Sequence, residues 1–360
     1  MNSTYITTSL FKTTSYRDPM TSRERVRAAL TFSKPDRPPR DLWSLPYISL
    51  YRKAELDALL ARFPVDFGRP ELSPGSDDLD IEKLRHPGTY RDEWGSVWHV
   101  GEPGVVGEVK EPVLNDWSGL RSFQPPWECL RSRNWDHVNR LCDASPQFML
   151  SATCARPFER LQFLRGPENF YMDLAYDTAE VRVLIGMVRD YYREEVLAWS
   201  GTNVDAVFLM DDWGSNSSLL ISPATWREVF KPIYREYCEI IRKAGKFVFF
   251  HSDGNIESIY PDLIEIGVDA LNSQLFCMNI EKLGELHRGK ITFWGEIDRQ
   301  QVLPYGTPEA VHAAVHRVRK ALDNGKGGVI AQCEWGKDNS AENIAAVFEA
   351  WDNGRAGRVE

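Results

Sequence analysis

The sequence predicts a single (β/α)8 barrel with an inserted β-hairpin arm. Short, nearly continuous apolar runs alternate with amphipathic segments from about residue 146 onward, as strands buried on both faces should. Two earlier short runs bring the candidate strands to eight, and strict β-α alternation over eight units implies a closed parallel barrel. A chain of 360 residues suffices for one such barrel with an insertion.

The elements are taken in chain order. Residues 1–19 are rich in Thr and Ser and lack the apolar stretch of a signal peptide. They are expected to form a disordered extension, with Met20 as the ancestral start. Residues 20–360 are then the barrel. A helix is expected over 21–32, a strand over 40–43, a helix over 48–62 and a strand over 64–67. Residues 70–145 break the alternation with Gly and Pro turns. Their segment Asp92-Glu-Trp-Gly-Ser-Val-Trp-His reads as a hairpin, so the stretch is an insertion after the second strand, placed near the strand carboxyl ends where it covers the cleft. Six further strands are expected over 148–154, 204–210, 246–251, 268–272, 291–295 and 328–333. Ser222-Pro223 starts a helix running to about Lys243, with Ser as N-cap and Pro at the first helical position. Another spans 257–266 and is closed by Gly267. Thr307-Pro308 and Ser340-Ala341 open the last two. An open doubly wound sheet is the competing fold, but no G-x-G-x-x-G or P-loop supports it.

Composition excludes several function classes. The net charge is −9, and no basic run is interleaved with aromatics, which argues against nucleic acid and anionic membranes as partners. No run approaches the ~18 apolar residues of a membrane span. The 6 cysteines form no C-x-x-C pair and read as reduced thiols of a cytoplasmic protein. A small-molecule substrate remains.

In a barrel, polar residues at the carboxyl ends of strands carry the chemistry. Asp211 and Asp212 end VFLMDD; one must point into the barrel and the other toward the helices. Asp211 is read as a base and Asp212 as a substrate contact, against the alternative of a strut to loop backbone. Asn272 and Gln274 are read as orienting a polar ligand, or as satisfying loop backbone. Glu296, after ITFWG, is a second candidate acid or base, and Asp298 a cap. His251 and Asp253 lie two apart on one strand and share a side. Cys333 ends the last strand. Read singly, such a His is a hydrogen-bonded core residue and such a Cys is packing. Read together, imidazole, carboxylate and thiolate suit Zn2+ with a position left open.

The sequence resembles the uroporphyrinogen decarboxylase-like superfamily from about Met20 to Trp351. The resemblance rests on TSRERVRAAL and PDRPPRDLW, on FERLQFLRGPENFYMDLA and DDWGSNSSLLISPATWREVFKP, and on HSDGNIESIYPDLIEIGVDALN, FWGEIDRQQVLPYGTPEAV and CEWGKDNSAENIAAVFEAW. It implies an enzyme, either a decarboxylase or a zinc methyltransferase. The methyltransferase branch carries His-x-Cys after one strand and a Cys after the last, binding zinc that activates a thiol for methyl transfer with a corrinoid. His251 matches the His and Cys333 the final Cys, while Asp253 stands where the first Cys is expected. The decarboxylase branch carries Arg-Gln-Ala-Gly-Arg for substrate carboxylates; here the stretch after Trp43 reads SLPYISLYRK. Methyl transfer therefore ranks above porphyrinogen decarboxylation. The corrinoid would arrive on a separate partner protein, because Asp-x-His-x-x-Gly is absent. The alternatives are a cofactor-free decarboxylase and a non-catalytic ligand-binding barrel.

Overall fold

The computed structural model describes residues 20–73 and 81–353, so the expectation for residues 1–19 lies outside them. Strands β1 (Arg40–Ser44) and β2 (Phe67–Gly68) come first. The insertion then supplies β3 (Gly88–Arg91), β4 (Val97–Val100) and β5 (Glu108–Glu111). The remaining strands are β6 (Phe148–Ala155), β7 (Ala206–Met210), β8 (Phe247–Ser252), β9 (Ala270–Ser273), β10 (Thr292–Trp294) and β11 (Val329–Trp335). Eight of them form one parallel sheet in the order β1-β11-β10-β9-β8-β7-β6-β2, which is the expected barrel.

The seam between β1 and β2 is closed by one aspartate. Asp66 N donates to Arg40 O at 2.8 Å, and Arg40 N donates to Asp66 Oδ2 at 2.8 Å. The same reciprocal pair recurs at Asp205 with Met149 (2.8 and 2.9 Å) and at Asp269 with Val248 (2.9 and 2.8 Å). Each aspartate immediately precedes a strand, so its side chain extends the backbone ladder by one step at the amino-terminal rim, the face that serves stability in barrels. The Asp66 carboxylate also accepts from Ser22 Oγ, Arg25 Nη1 and Arg37 Nη1 at 2.6–2.8 Å.

Strand residues alternate between two cores. Phe67, Phe148, Phe208, Phe249, Trp294 and Ile330 fill the barrel interior. Val207, Leu209, Phe250, Leu271, Ala331 and Cys333 face the helix layer. The interior is largely aromatic: the Trp294 ring lies 4.9 Å from Phe249 and 5.5 Å from Phe208, edge to face.

The helices follow their caps. Ser222 Oγ accepts from Thr225 N at 3.0 Å, and the helical run continues to Lys243 through a wider π-turn at Trp226–Phe230. That turn ends two residues before Pro232, which lacks an N–H and cannot continue a regular ladder. The helical stretch expected over 48–62 is broken at Arg52 into Pro46–Tyr51 and Lys53–Arg62.

The insertion is a three-stranded antiparallel sheet in the order β3-β4-β5, one strand more than the expected hairpin. Buried Asp92 organises its first turn, accepting from Trp94 N, Ser96 N and Trp98 Nε1 at 2.8–3.1 Å. Arg160 Nη1 donates to the same carboxylate at 3.1 Å and ties the sheet to the barrel's helices. Glu102 pairs with Lys337 just beyond β11 at 2.6 Å, which brings the insertion to the carboxyl-terminal rim. Among the described residues no helix is long and apolar enough to cross a membrane.

Candidate metal centre

The carboxyl ends of β7, β8 and β9 converge on His251. Residues 247, 249, 251 and 253 alternate inward along β8, so His251 and Asp253 face the barrel mouth together. Of the two aspartates after β7, Asp212 faces His251. Asp212 Oδ1 and Asp253 Oδ1 lie 3.4 and 3.5 Å from His251 Nε2. One ligand atom from each of the three residues falls within 4.8 Å of the others, the spacing a single cation requires.

The imidazole is fixed from behind. His251 Nδ1 lies 2.6 Å from Asn272 Oδ1. Asn272 Nδ2 donates to Trp294 O at 2.5 Å and to Gln332 Oε1 at 3.1 Å, so its amide orientation is set and its oxygen accepts from Nδ1–H. In the neutral ring that tautomer leaves the Nε2 lone pair toward the carboxylates. Trp43 packs on the ring with centroids 4.9 Å apart. Burial alone would lower the His251 pKa, but Asp212 and Asp253 outweigh it and raise it to about 9. Without a metal the site therefore holds a proton where the cation would sit.

The carboxylates are also positioned. Asp253 N donates to Asp212 Oδ1 at 2.9 Å, and Arg299 Nη2 donates to Asp253 Oδ2. Asp253 Oδ1 is left buried without a hydrogen-bond partner, an open acceptor aimed at Nε2. Arg299 Nη1 also reaches Glu334 Oε2 at 3.0 Å and Glu296 Oε1 at 3.7 Å. Burial raises Glu296 to about 8, with Arg299 opposing and Asp253 and Glu334 adding to the rise, so it carries a proton at neutral pH. Behind Asp212 stands Glu159, which burial and the Asp212 charge raise to about 7; its Oε2 has no partner.

Three expectations need correction. Cys333 does not join His251 and Asp253. It faces the helix layer with Ala331, fully buried, while Gln332 and Glu334 on either side face the mouth. The two-residue period of β11 turns the thiol outward. Asp211 likewise points away from the mouth. Its carboxylate accepts from Phe158 N and Glu159 N, both at 2.8 Å, and from the Tyr234 hydroxyl, capping helix Pro157–Arg165. Asn272 and Gln274 are engaged with the protein rather than open to a ligand. Gln274 Oε1 accepts from Gly254 N at 2.7 Å and so holds the loop that carries Asp253.

The sequence alone did not point to Glu159, Arg299 or the Trp43 contact, and it offered Glu334 only as the neighbour of Cys333 at the end of the last strand. Glu334 was accessible by parity from Ile330, which faces the interior. Arg299 lies on a loop, whose direction no period dictates, and Glu159 lies on a short helix most of whose residues are buried, so no polar face marks it out.

Zinc is the ion the resemblance implies, and the donor set bears on it. One imidazole nitrogen and two carboxylates, one with an orphaned buried oxygen, suit a divalent cation of the zinc or manganese class. No thiolate among the described residues joins them, so the site is harder than a His-Cys-Cys zinc site.

A family model described as Uroporphyrinogen decarboxylase (URO-D) matches residues 102–353. No curated protein matches the sequence. Among solved structures, a methyltransferase from Methanosarcina mazei is similar with TM-score 0.70 and 15% identity, covering 93% of this chain and 99% of that one. At this identity the likeness is one of fold. A glycosylated endo-β-1,4-xylanase from Gloeophyllum trabeum is similar with TM-score 0.46 and 9% identity, covering 90% of this chain and 98% of that one.

Proposed function

The chain belongs to the uroporphyrinogen decarboxylase (URO-D) family, and from that premise we propose that it is a zinc-dependent methyltransferase or demethylase. It would move a methyl group between a small molecule or thiol and a corrinoid carried by a partner protein. The convergence of Asp212, His251 and Asp253 on one point in the barrel mouth carries this reading. The fold likeness to a methyltransferase agrees with it.

His251 Nε2, Asp253 Oδ1 and Asp212 Oδ1 would hold the ion. When bound, it supplies Lewis acidity that keeps a substrate thiol or water deprotonated near neutral pH. Asn272 fixes the His251 tautomer, and Arg299 turns the free oxygen of Asp253 toward it. Trp43 shields the imidazole from water. Glu296, protonated at neutral pH, is placed to return a proton to a leaving group.

The test is methyl exchange between methylcobalamin and a simple alkanethiol, followed by the visible spectrum of the cobalt centre. The zinc-loaded chain should catalyse it, and His251→Ala should lower the rate by about a hundredfold or more. Equal rates for the two proteins would remove this reading. A second reading, metal-free decarboxylation, draws on the same buried Glu296 as a proton donor to a carbanion. Carbon dioxide release from uroporphyrinogen by chelator-treated protein would favour it.

A further inference from the structure

Resting on the reading of the barrel mouth as the active site, we propose that Arg69 anchors the single carboxylate of a substrate with an apolar, ring-like body. The strands are buried along most of their length, but at their carboxyl ends the inward-facing Trp43, Cys154, Met210, Asp212 and Asp253 regain partial exposure. These positions outline the mouth. Arg69 lies two residues beyond the inward-facing Phe67 and so points to the same side. Its guanidinium carbon sits 4.8 Å over the Phe208 ring. Phe208 is 6.0 Å from Trp43, and Trp43 is 4.9 Å from His251. Arg69 and the candidate metal centre thus border one aromatic floor.

Arg69 is exposed by its accessible surface. Yet burial is the largest influence on it and lowers its pKa, with Asp41 opposing. Exposed and seated over Phe208, the guanidinium borders the barrel mouth. Nη1 donates to Ser151 O at 3.0 Å. Among the described residues that is its only hydrogen bond, and it has no carboxylate in ion-pair contact. Asp41 is already taken, accepting from Trp294 Nε1 at 2.8 Å, Leu42 N at 3.0 Å and Trp43 Nε1 at 3.1 Å. The remaining donors of the Arg69 fork match the two oxygens of a carboxylate. Phe208 beneath it, with Trp43 and Met210 along the same mouth, suits an apolar body on that carboxylate. Asp212 and Asp253 nearby, with the net charge of −9, disfavour further negative groups on the same ligand.

The probe is benzoate, with neutral benzamide as its isostere, titrated calorimetrically into the purified full chain. Benzoate should bind wild type at least about tenfold more tightly than benzamide, and Arg69→Gln should abolish that preference. His251→Ala should retain it, which separates this inference from the cation site. Arg69→Lys should keep part of it, since the charge remains and the fork is lost. In wild type, benzoate but not benzamide should slow phenylglyoxal modification of Arg69, read by peptide mass spectrometry, so the test survives a poorly folding variant. Equal benzoate affinity in wild type and Arg69→Gln, or Arg69 modified at the same rate with and without benzoate, would overturn the proposal and leave Arg69 as a counter-charge to Asp41.

Discussion

Cys333 is the residue at which chemistry and geometry part. As a thiol at the end of the last strand it invites a metal, but Leu42 lies opposite it in register and its neighbours are the outer core. Replacing it by Ser should leave zinc affinity unchanged. Stability should fall by about 1–3 kcal/mol, because a hydroxyl in that apolar setting lacks a partner. Paired zinc titrations and urea melts check both parts, and a large loss of zinc would return the thiol to the site. The shared side of His251 and Asp253 was legible because the two lie two residues apart at the end of one strand. In β11, Gln332 faces the barrel as a buried polar residue, and the run Ala331-Gln332-Cys333 hides which side is which. Arg69 was not legible, because β2 is only 2 residues long and Pro70 follows it at once.

At the scale of elements, Asp211 shows how a strand end is coupled to the helix of a neighbouring unit. Its carboxylate satisfies two of the first N–H groups of helix Pro157–Arg165, which has no side-chain cap of its own, and takes the Tyr234 hydroxyl from the helix Lys231–Lys243. Asp211→Ala would bury three donors unpaired. A loss of about 3 kcal/mol or more is expected in denaturant unfolding. His251 should keep its zinc affinity if Asp212 stays in place, so unchanged stability or lost zinc binding would mark a different role. Elements with both a cap and a period, such as the helix after Ser222 and the eight strands, were readable in advance. The third strand of the insertion was not: β5 is Glu108–Glu111, with exposed charges and no alternating apolar face.

For the whole molecule, the two rims of the barrel divide the work. The amino-terminal rim is held by the reciprocal Asp66, Asp205 and Asp269 pairs, and Asp66 carries the seam between the first two strands. Asp66→Asn removes a buried charge from Arg25 and Arg37, each at 2.6 Å. It should cost about 3–5 kcal/mol. Asp352→Ala removes a more exposed partner of Arg40 and should cost about 1 kcal/mol or less. Similar midpoints for the two variants would deny Asp66 its closing role. The carboxyl-terminal rim instead gathers buried acids around His251, with Asp253 Oδ1 and Glu159 Oε2 left as open acceptors.

That contrast leads to zinc titration of chelator-stripped protein, followed calorimetrically in wild type, His251→Ala and Asp253→Cys. Wild type should bind one zinc ion per chain. His251→Ala should weaken binding by about a hundredfold or more, and Asp253→Cys should tighten it by adding a thiolate. No saturable binding by wild type, or equal binding by wild type and His251→Ala, would contradict a cation site built on Asp212, His251 and Asp253.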